Sequence, residues 1–301
     1  MASPSASAAL FDLRRLSPPL PLPPRQSEQA LQDLFASIEL EGAPKREFEN
    51  YWRQDWKRFV YTYGLAADLA GTSLELGANP YFSTTLFHYF TELQPTLANY
   101  FGPHFGERAS QNLTARNPHT GELEPRSLEF HHFNIEDASF PFPDASFDVV
   151  FFCEVLEHMQ SDPVAVLREV KRVLKPAAHL ILTTPNVARL ENVCRLIAGA
   201  NIYDPYSGYG PYGRHNREYN RHELTQLLKY CGFEVEISFT ADVHHNHAGN
   251  FFKVDAVAPL LEFRSSDLGQ YLFFRARNVG PSGEKRPGWL YRSYPAGELE
   301  E

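Results

Sequence analysis

A chain of 301 residues, 43% of them hydrophobic, can bury a full core and fits one α/β domain with additions better than two equal domains. Its formal charge is 28 minus 37, or −9, so the surface as a whole repels polyanions and opposes extended binding to duplex nucleic acid. Cys153, Cys194 and Cys231 are widely spaced, form no metal-type pair and leave an odd count for disulfides, which suits small core hydrophobes in a reducing compartment. No run approaches the roughly 20 apolar residues that span a bilayer, and the compact apolar segment of a secretion signal is missing, so the expectation is a cytoplasmic protein.

Residues 1–25 are rich in Ala, Ser and Pro and read as a polyproline or disordered tail outside the fold. Residues 26–70 carry a helical pattern, with Leu31, Leu34, Phe35 and Ile38 on one face and an aromatic-rich segment from Tyr51 to Tyr63 after it. This N-terminal cap is either a helical layer on a sheet or an aromatic lid over a pocket. From 71 to 278 strand and helix signals alternate, which predicts a parallel sheet with crossover helices. Strands are expected at 72–76, 96–101, 128–135, 147–152, 179–184, 233–239 and 268–276, and helices at 83–93, 163–174 and 221–230. Residues 102–126 show no apolar period and read as a long loop. Seven strands with helices between them make a Rossmann-like count, and 279–301 form a C-terminal tail.

The fourth strand signal is the most informative. Residues 149–152 form the continuous apolar run of a buried parallel strand, and open α/β sheets keep their ligands at the carboxyl ends of such strands. On a helix following it, Glu154, Glu157 and His158 would stand at i, i+3 and i+4 and project from one face.

The order of these signals resembles the class I S-adenosylmethionine-dependent methyltransferases. The resemblance rests on Leu74-Glu75-Leu76-Gly77, Phe133-Asn134-Ile135-Glu136-Asp137, Phe147-Asp148-Val149-Val150 through Glu154-Val155-Leu156-Glu157-His158, the segment 167–176, Leu182-Thr183-Thr184-Pro185-Asn186 and Cys231-Gly232-Phe233. It implies a Rossmann-like seven-stranded, mostly parallel sheet with S-adenosylmethionine at Glu75, Gly77, Ala78, Asn79, Asn99, Asn134, Ile135, Cys153 and Glu154. Asn99 takes the place where the family usually has an acid for the ribose hydroxyls. Asn79 and Tyr81 stand where the family has further glycines.

The same resemblance offers two uses for the cluster after the fourth strand. In many such enzymes Glu154 would lie beside the cofactor while His158 ties down a loop. In the small-RNA 3′-terminal 2′-O-methyltransferases a similar Glu-x-x-Glu-His binds a divalent ion with a downstream histidine, and His215-Asn216-Arg217-Glu218-Tyr219-Asn220-Arg221 is similar to that segment. The implied ligands for Mg²⁺ or Mn²⁺ are Glu154, Glu157, His158 and His215. Without a metal, His215 or His158 is the candidate general base, beside Glu154. The loop 201–213 interleaves tyrosines with Gly and Pro, so Tyr209, Tyr212, Arg217 and Tyr219 are candidates for holding an acceptor. Asp242-Val243-His244-His245-Asn246-His247 reads as a polar loop near the site mouth.

The leading expectation is methyl transfer to a hydroxyl of a sugar, glycan precursor or other small molecule, since the loop resembles methyltransferases found alongside polysaccharide assembly. The rivals are RNA 3′-end 2′-O-methylation and a domain that binds S-adenosylmethionine or a partner without catalysis.

Overall fold

In a computed structural model, which describes residues 17–104, 106–137 and 139–300, each strand signal becomes a strand of one sheet. In chain order the elements begin with α1 (Glu28–Ala36), β1 (Glu39–Leu40), α2 (Lys45–Ala66), β2 (Ala70–Leu76), α3 (Phe82–Phe90), β3 (Glu92–Asn99), β4 (Arg108–Arg116) and β5 (Leu123–His132). They continue with β6 (Phe147–Cys153), α4 (Pro163–Val173), β7 (Leu174–Pro185), α5 (Leu190–Ile197), α6 (Arg221–Tyr230), β8 (Phe233–Ala241), α7 (Val254–Leu261) and β9 (Tyr271–Asn278). Local chemistry sets several starts: Ser27, Asp162 and Asn220 side chains accept the backbone N–H of Ala30, Ala165 and Glu223 at the heads of α1, α4 and α6.

The nine-stranded sheet has the order β1-β4-β5-β3-β2-β6-β7-β9-β8. Strands β5, β3, β2, β6 and β7 are mutually parallel, whereas β9 runs antiparallel between β7 and β8. The seven expected strands therefore lie side by side, and β4 and β1 extend one edge. Along β6, Val149 and Phe151 pack into the cluster under α1, α2 and α3, while Val150 and Phe152 pack into the one under α4 and α6. Both faces of the strand are covered, which is why its sequence is apolar throughout rather than alternating.

Two expectations are corrected. Residues 102–126 are not a long loop: β4 and β5 pair antiparallel from Arg108–His131 to Arg116–Leu123, and β4 was hidden because Leu113 is the one large apolar side chain on its inner face, beside Ala109, Gln111 and Ala115. No helix follows β6. Glu154 takes the left-handed conformation at φ 55° and only a three-residue turn, Leu156–His158, comes after it. Glu154, Glu157 and His158 thus do not share a helix face. The helices α5 and α7 carried no expectation, being eight residues each, α7 with Pro259 inside.

Of the N-terminal tail, residues 1–16 lie outside the described residues, and 17–25 pack on α2. Tyr61 Oη donates to the Pro18 carbonyl at 2.6 Å, and Gly64 leaves room for Pro21, whose Cγ would lie 2.2 Å from an added Cβ. The cysteines are all free, Cys194 and Cys231 buried. Among the described residues no helix is long and apolar enough to cross a membrane.

Candidate active site

The strand order reverses direction at β2, with β3 on one side and β6 on the other, and such switch points leave a crevice at the carboxyl ends of the strands. A cavity of about 310 Å³ occupies it, lined among others by Gly77, Asn79, Asn99, Asn134, Ile135 and Glu154. The turn after β2 makes its floor. Gly77 stands at φ 70° with its N–H on the Ala98 carbonyl, and an added Cβ would lie 2.8 Å from Val155 Cγ2.

Tyr81 resolves the glycine-poor look of this loop. It adopts φ 67°, a conformation glycine takes freely, and its fully buried ring is held by Asn99 Nδ2 at 3.0 Å and by its own donation to Gln111 Oε1 at 2.6 Å. Asn99 Oδ1 accepts the Asn79 N–H at 2.8 Å. Asn99 lines the cavity, but both ends of its amide brace the loop. Across the cavity, Asn134 Oδ1 accepts the Glu136 N–H, and its Nδ2 donates to Asp137 and to the Tyr212 hydroxyl, each at 3.0 Å. Three expected cofactor residues, Glu75, Ala78 and Cys153, stand elsewhere: they line an adjoining void of about 80 Å³ between α2 and the strand ends. Glu75 accepts from Thr84 Oγ1 at 2.6 Å, and burial, opposed by that bond, pushes its carboxyl up to about 8.

Glu154 borders both spaces. Its carboxylate pairs with Arg58 Nη1 at 2.9 Å and accepts from Thr183 Oγ1 at 2.8 Å, and burial still raises its pKa. Arg58, 4% exposed on α2, also donates to Tyr51 Oη at 2.5 Å. Sequence reading missed Arg58; the signal was an arginine amid the aromatics of a helix that otherwise buries that face.

Two imidazoles stand beyond Glu154. His158 lines the cavity, and its Nδ1 sits 2.9 Å from the Arg214 carbonyl, which can only accept, so Nδ1 carries the proton and Nε2 keeps its lone pair. Burial and the neighbouring His215 both lower its pKa. The His215 ring lies 5.1 Å away, centroid to centroid. Its Nδ1 bonds Glu218 Oε1 at 2.9 Å, while Arg189 pairs with the other oxygen of that carboxylate. Burial alone would lower His215, but Glu218, Glu157 and Asp204 outweigh it and lift it to about 8. Glu218 was legible only as a spacing in the His-x-x-Glu motif; its orienting contact needed the fold.

The expected four-residue metal set does not assemble. Glu157, His158 and His215 bring one ligand atom each within 4.8 Å of one another, but Glu154 is turned to Arg58 and Thr183. Glu157 is fully buried; one oxygen accepts from Thr184 Oγ1 at 3.0 Å, Oε1 has no hydrogen-bond partner, and burial with the nearby Glu154 charge pushes the carboxyl up to about 8. Of the candidates for holding an acceptor, Tyr212 reaches the cavity and Tyr209 stands 81% exposed. Tyr219 does not face a pocket. It is 2% exposed within the core under α4 and α6, because its backbone bridges to Asn186, and Arg217 lies over its ring while pairing with Glu223.

A switch-point cavity with a glycine floor, an asparagine-bearing loop opposite and titratable groups at one end stands where open α/β sheets keep their ligands. The family model for a methyltransferase domain matches residues 82–182. A protein of Mycolicibacterium smegmatis, named as a probable S-adenosylmethionine-dependent methyltransferase, is 30% identical over 190 residues, 62% of this chain and 61% of its own length. One of Mycobacterium tuberculosis with the same description is 28% identical over 203 residues, 67% of this chain and 62% of its own. The chain thus spans about three fifths of the curated relatives it matches. Among solved structures, a methyltransferase of Thermotoga maritima aligns at a TM-score of 0.46 and 15% identity, covering 78% of this chain and 95% of that one. Over these matched residues the chain is similar to the class I S-adenosylmethionine-dependent methyltransferases.

Proposed function

We propose that this protein transfers a methyl group from S-adenosylmethionine to a hydroxyl of a sugar, glycan precursor or other small molecule, with His158 as the general base. The observation that carries the reading is His158 itself: at the cavity wall, with its tautomer fixed by a backbone carbonyl and its pKa lowered, it is neutral with a free lone pair at neutral pH.

The residues present fit the cofactor. Gly77 is a cradle that a Cβ would fill, the Asn134–Ile135 loop offers an amide wall, and the cavity is within the usual range for small-molecule sites. When bound there, S-adenosylmethionine supplies a methyl group activated by its sulfonium. The protein's part is then to orient an acceptor hydroxyl and remove its proton. His158 Nε2 takes the proton. His215, held by Glu218, is the cationic neighbour that keeps His158 neutral beforehand. Tyr212, bonded to Asn134, joins the acceptor side of the cavity to its cofactor side.

The irregular Gly77–Tyr81 loop was the main support for a non-catalytic binding domain. That support weakens, since Tyr81 keeps a glycine-like backbone and seals the loop with its hydroxyl. A divalent ion, Mg²⁺ or Mn²⁺, is the second reading, favoured by the unpartnered Glu157 Oε1 beside two imidazoles. Calorimetry with S-adenosylmethionine and its demethylated product tests the cofactor: absence of binding by both ends the proposal. Turnover of nucleotide sugars against short RNA ends separates the acceptor classes. Activity that survives EDTA supports the proton-transfer reading, and activity restored only by a divalent ion replaces it with the metal one. His158→Ala should lower turnover by about 10²-fold or more while leaving cofactor affinity intact.

A further inference from the structure

Two adjoining cavities of about 440 and 700 Å³ lie between α2 and the loop that follows β8, and they share Lys57, His244 and His245. None of these residues lines the cavity assigned to the cofactor. Arg53, Trp56 and His247 complete the rim of the larger one. Arg53 and Lys57 stand four apart on α2 and so share a face. In a chain of net charge −9, this is a local concentration of cationic and imidazole groups.

Among the described residues Arg53 and Lys57 meet aromatic rings and no carboxylate at ion-pair distance. Arg53 Cζ lies 4.7 Å from the Trp52 ring and Lys57 Nζ 5.8 Å from the Trp56 ring. Asp242 is the acid in the lining, and its carboxylate is spent internally: Oδ1 accepts the Gln270 N–H and Oδ2 accepts Asn246 Nδ2, both at 3.0 Å.

A buried amide sets the histidine. Gln270 is 1% exposed, and its Oε1 accepts the N–H groups of Val243 and His244 at 3.0 and 3.1 Å. Its Nε2 must therefore be the donor end, and it lies 2.9 Å from His244 Nδ1. A proton on that Nδ1, directed at the His245 carbonyl 3.2 Å away, would set two donors against each other, so Nδ1 accepts and Nε2 carries the proton. His244 thus offers an N–H donor without needing a positive charge. These histidines do not bring three ligand atoms together as a metal site among the described residues.

We propose that this groove binds a phosphate-bearing small molecule, with Arg53, Lys57 and His244 as donors. A tetrahedral oxyanion accepts from several directions at once, and a guanidinium, an ammonium and an imidazole N–H supply such donors in a cleft that concentrates their field. The inference stands apart from the methyl-transfer reading, since it uses none of the residues named there.

The test titrates inorganic phosphate into the full chain and follows the histidine Cε1–H signals by NMR, with His244→Gln and His245→Gln assigning them. Saturable shifts of the His244 and His245 signals are expected, with His158 and His215 unmoved. Arg53→Gln with Lys57→Gln, both changes on the outer face of α2, should weaken phosphate binding by about tenfold or more. Shifts that never saturate, or saturation equally tight in the double variant, overturn the proposal. Calorimetry with S-adenosylmethionine on the same double variant should match the unmodified chain, so failure of the cofactor reading and failure of this one are seen in different measurements.

Discussion

At Gly77 a single missing Cβ separates the floor of the cavity from the turn that follows β6. The backbone is left-handed there, and a side chain would press on Val155. Gly77→Ala should cost about 1–2 kcal/mol of stability from the conformation alone. S-adenosylmethionine affinity should fall as well, which denaturation and calorimetry read separately. The two imidazoles make a second prediction at this scale. His158 must be neutral to accept a proton, and the charge on His215 helps to keep it so; turnover should rise with pH through the depressed His158 pKa and stay level above it. Glu218→Gln removes a group that lifts His215, so His215 carries less charge through that rise and the His158 limb should move to higher pH; an unmoved limb would remove His215 from the scheme. The residue types at 154, 157, 158 and 215 were legible in the sequence. Their roles were not, because a single left-handed residue, Glu154, turns its carboxylate toward Arg58 and away from the histidines.

The pair Arg58–Glu154 operates between elements, tying α2 to the carboxyl end of β6 through the wall of the site. Removing one partner strands a buried charge, so Arg58→Met should cost about 3 kcal/mol or more, and adding Glu154→Gln should restore much of it; equal losses in single and double variants would mean the pair is not coupled. Within 26–70, α1 and α2 pack into the core on one face of the sheet, and Arg58 reaches the site from α2. Strand β4 escaped sequence reading for a reason proper to edge extensions. Its outer face meets solvent, and its inner face carries Ala109, Gln111, Leu113 and Ala115, so a polar residue interrupts the alternation and no apolar run marks it.

Over the whole molecule, several groups bind protons more tightly when folded, Glu154 and Asp242 among them. Glu75 and Glu157 rise from 4.5 to about 8, and His215 from 6.5 to about 8. A group whose folded pKa is raised favours the folded state fully below its unfolded pKa and loses that advantage as pH rises through the folded one. The melting temperature should therefore decline between about pH 5 and pH 8. Asp148, Asp162, Glu169 and Glu218 are shifted the other way, so their contribution disappears only in acid, as pH falls below their ordinary values of 3.8 and 4.5. Glu75→Gln should stabilise the protein at pH 8 more than at pH 5; a flat difference would mean that Glu75 titrates normally. The sequence by itself determined the seven central strands in their order and the helices α3, α4 and α6 between them, because apolar period, caps and glycines are local and each acts within a few residues. Only the tertiary structure decided which side chains meet. Arg58 reaches Glu154 across 96 positions, and His215 reaches His158 across 57, and no local pattern encodes a contact made by packing one element on another.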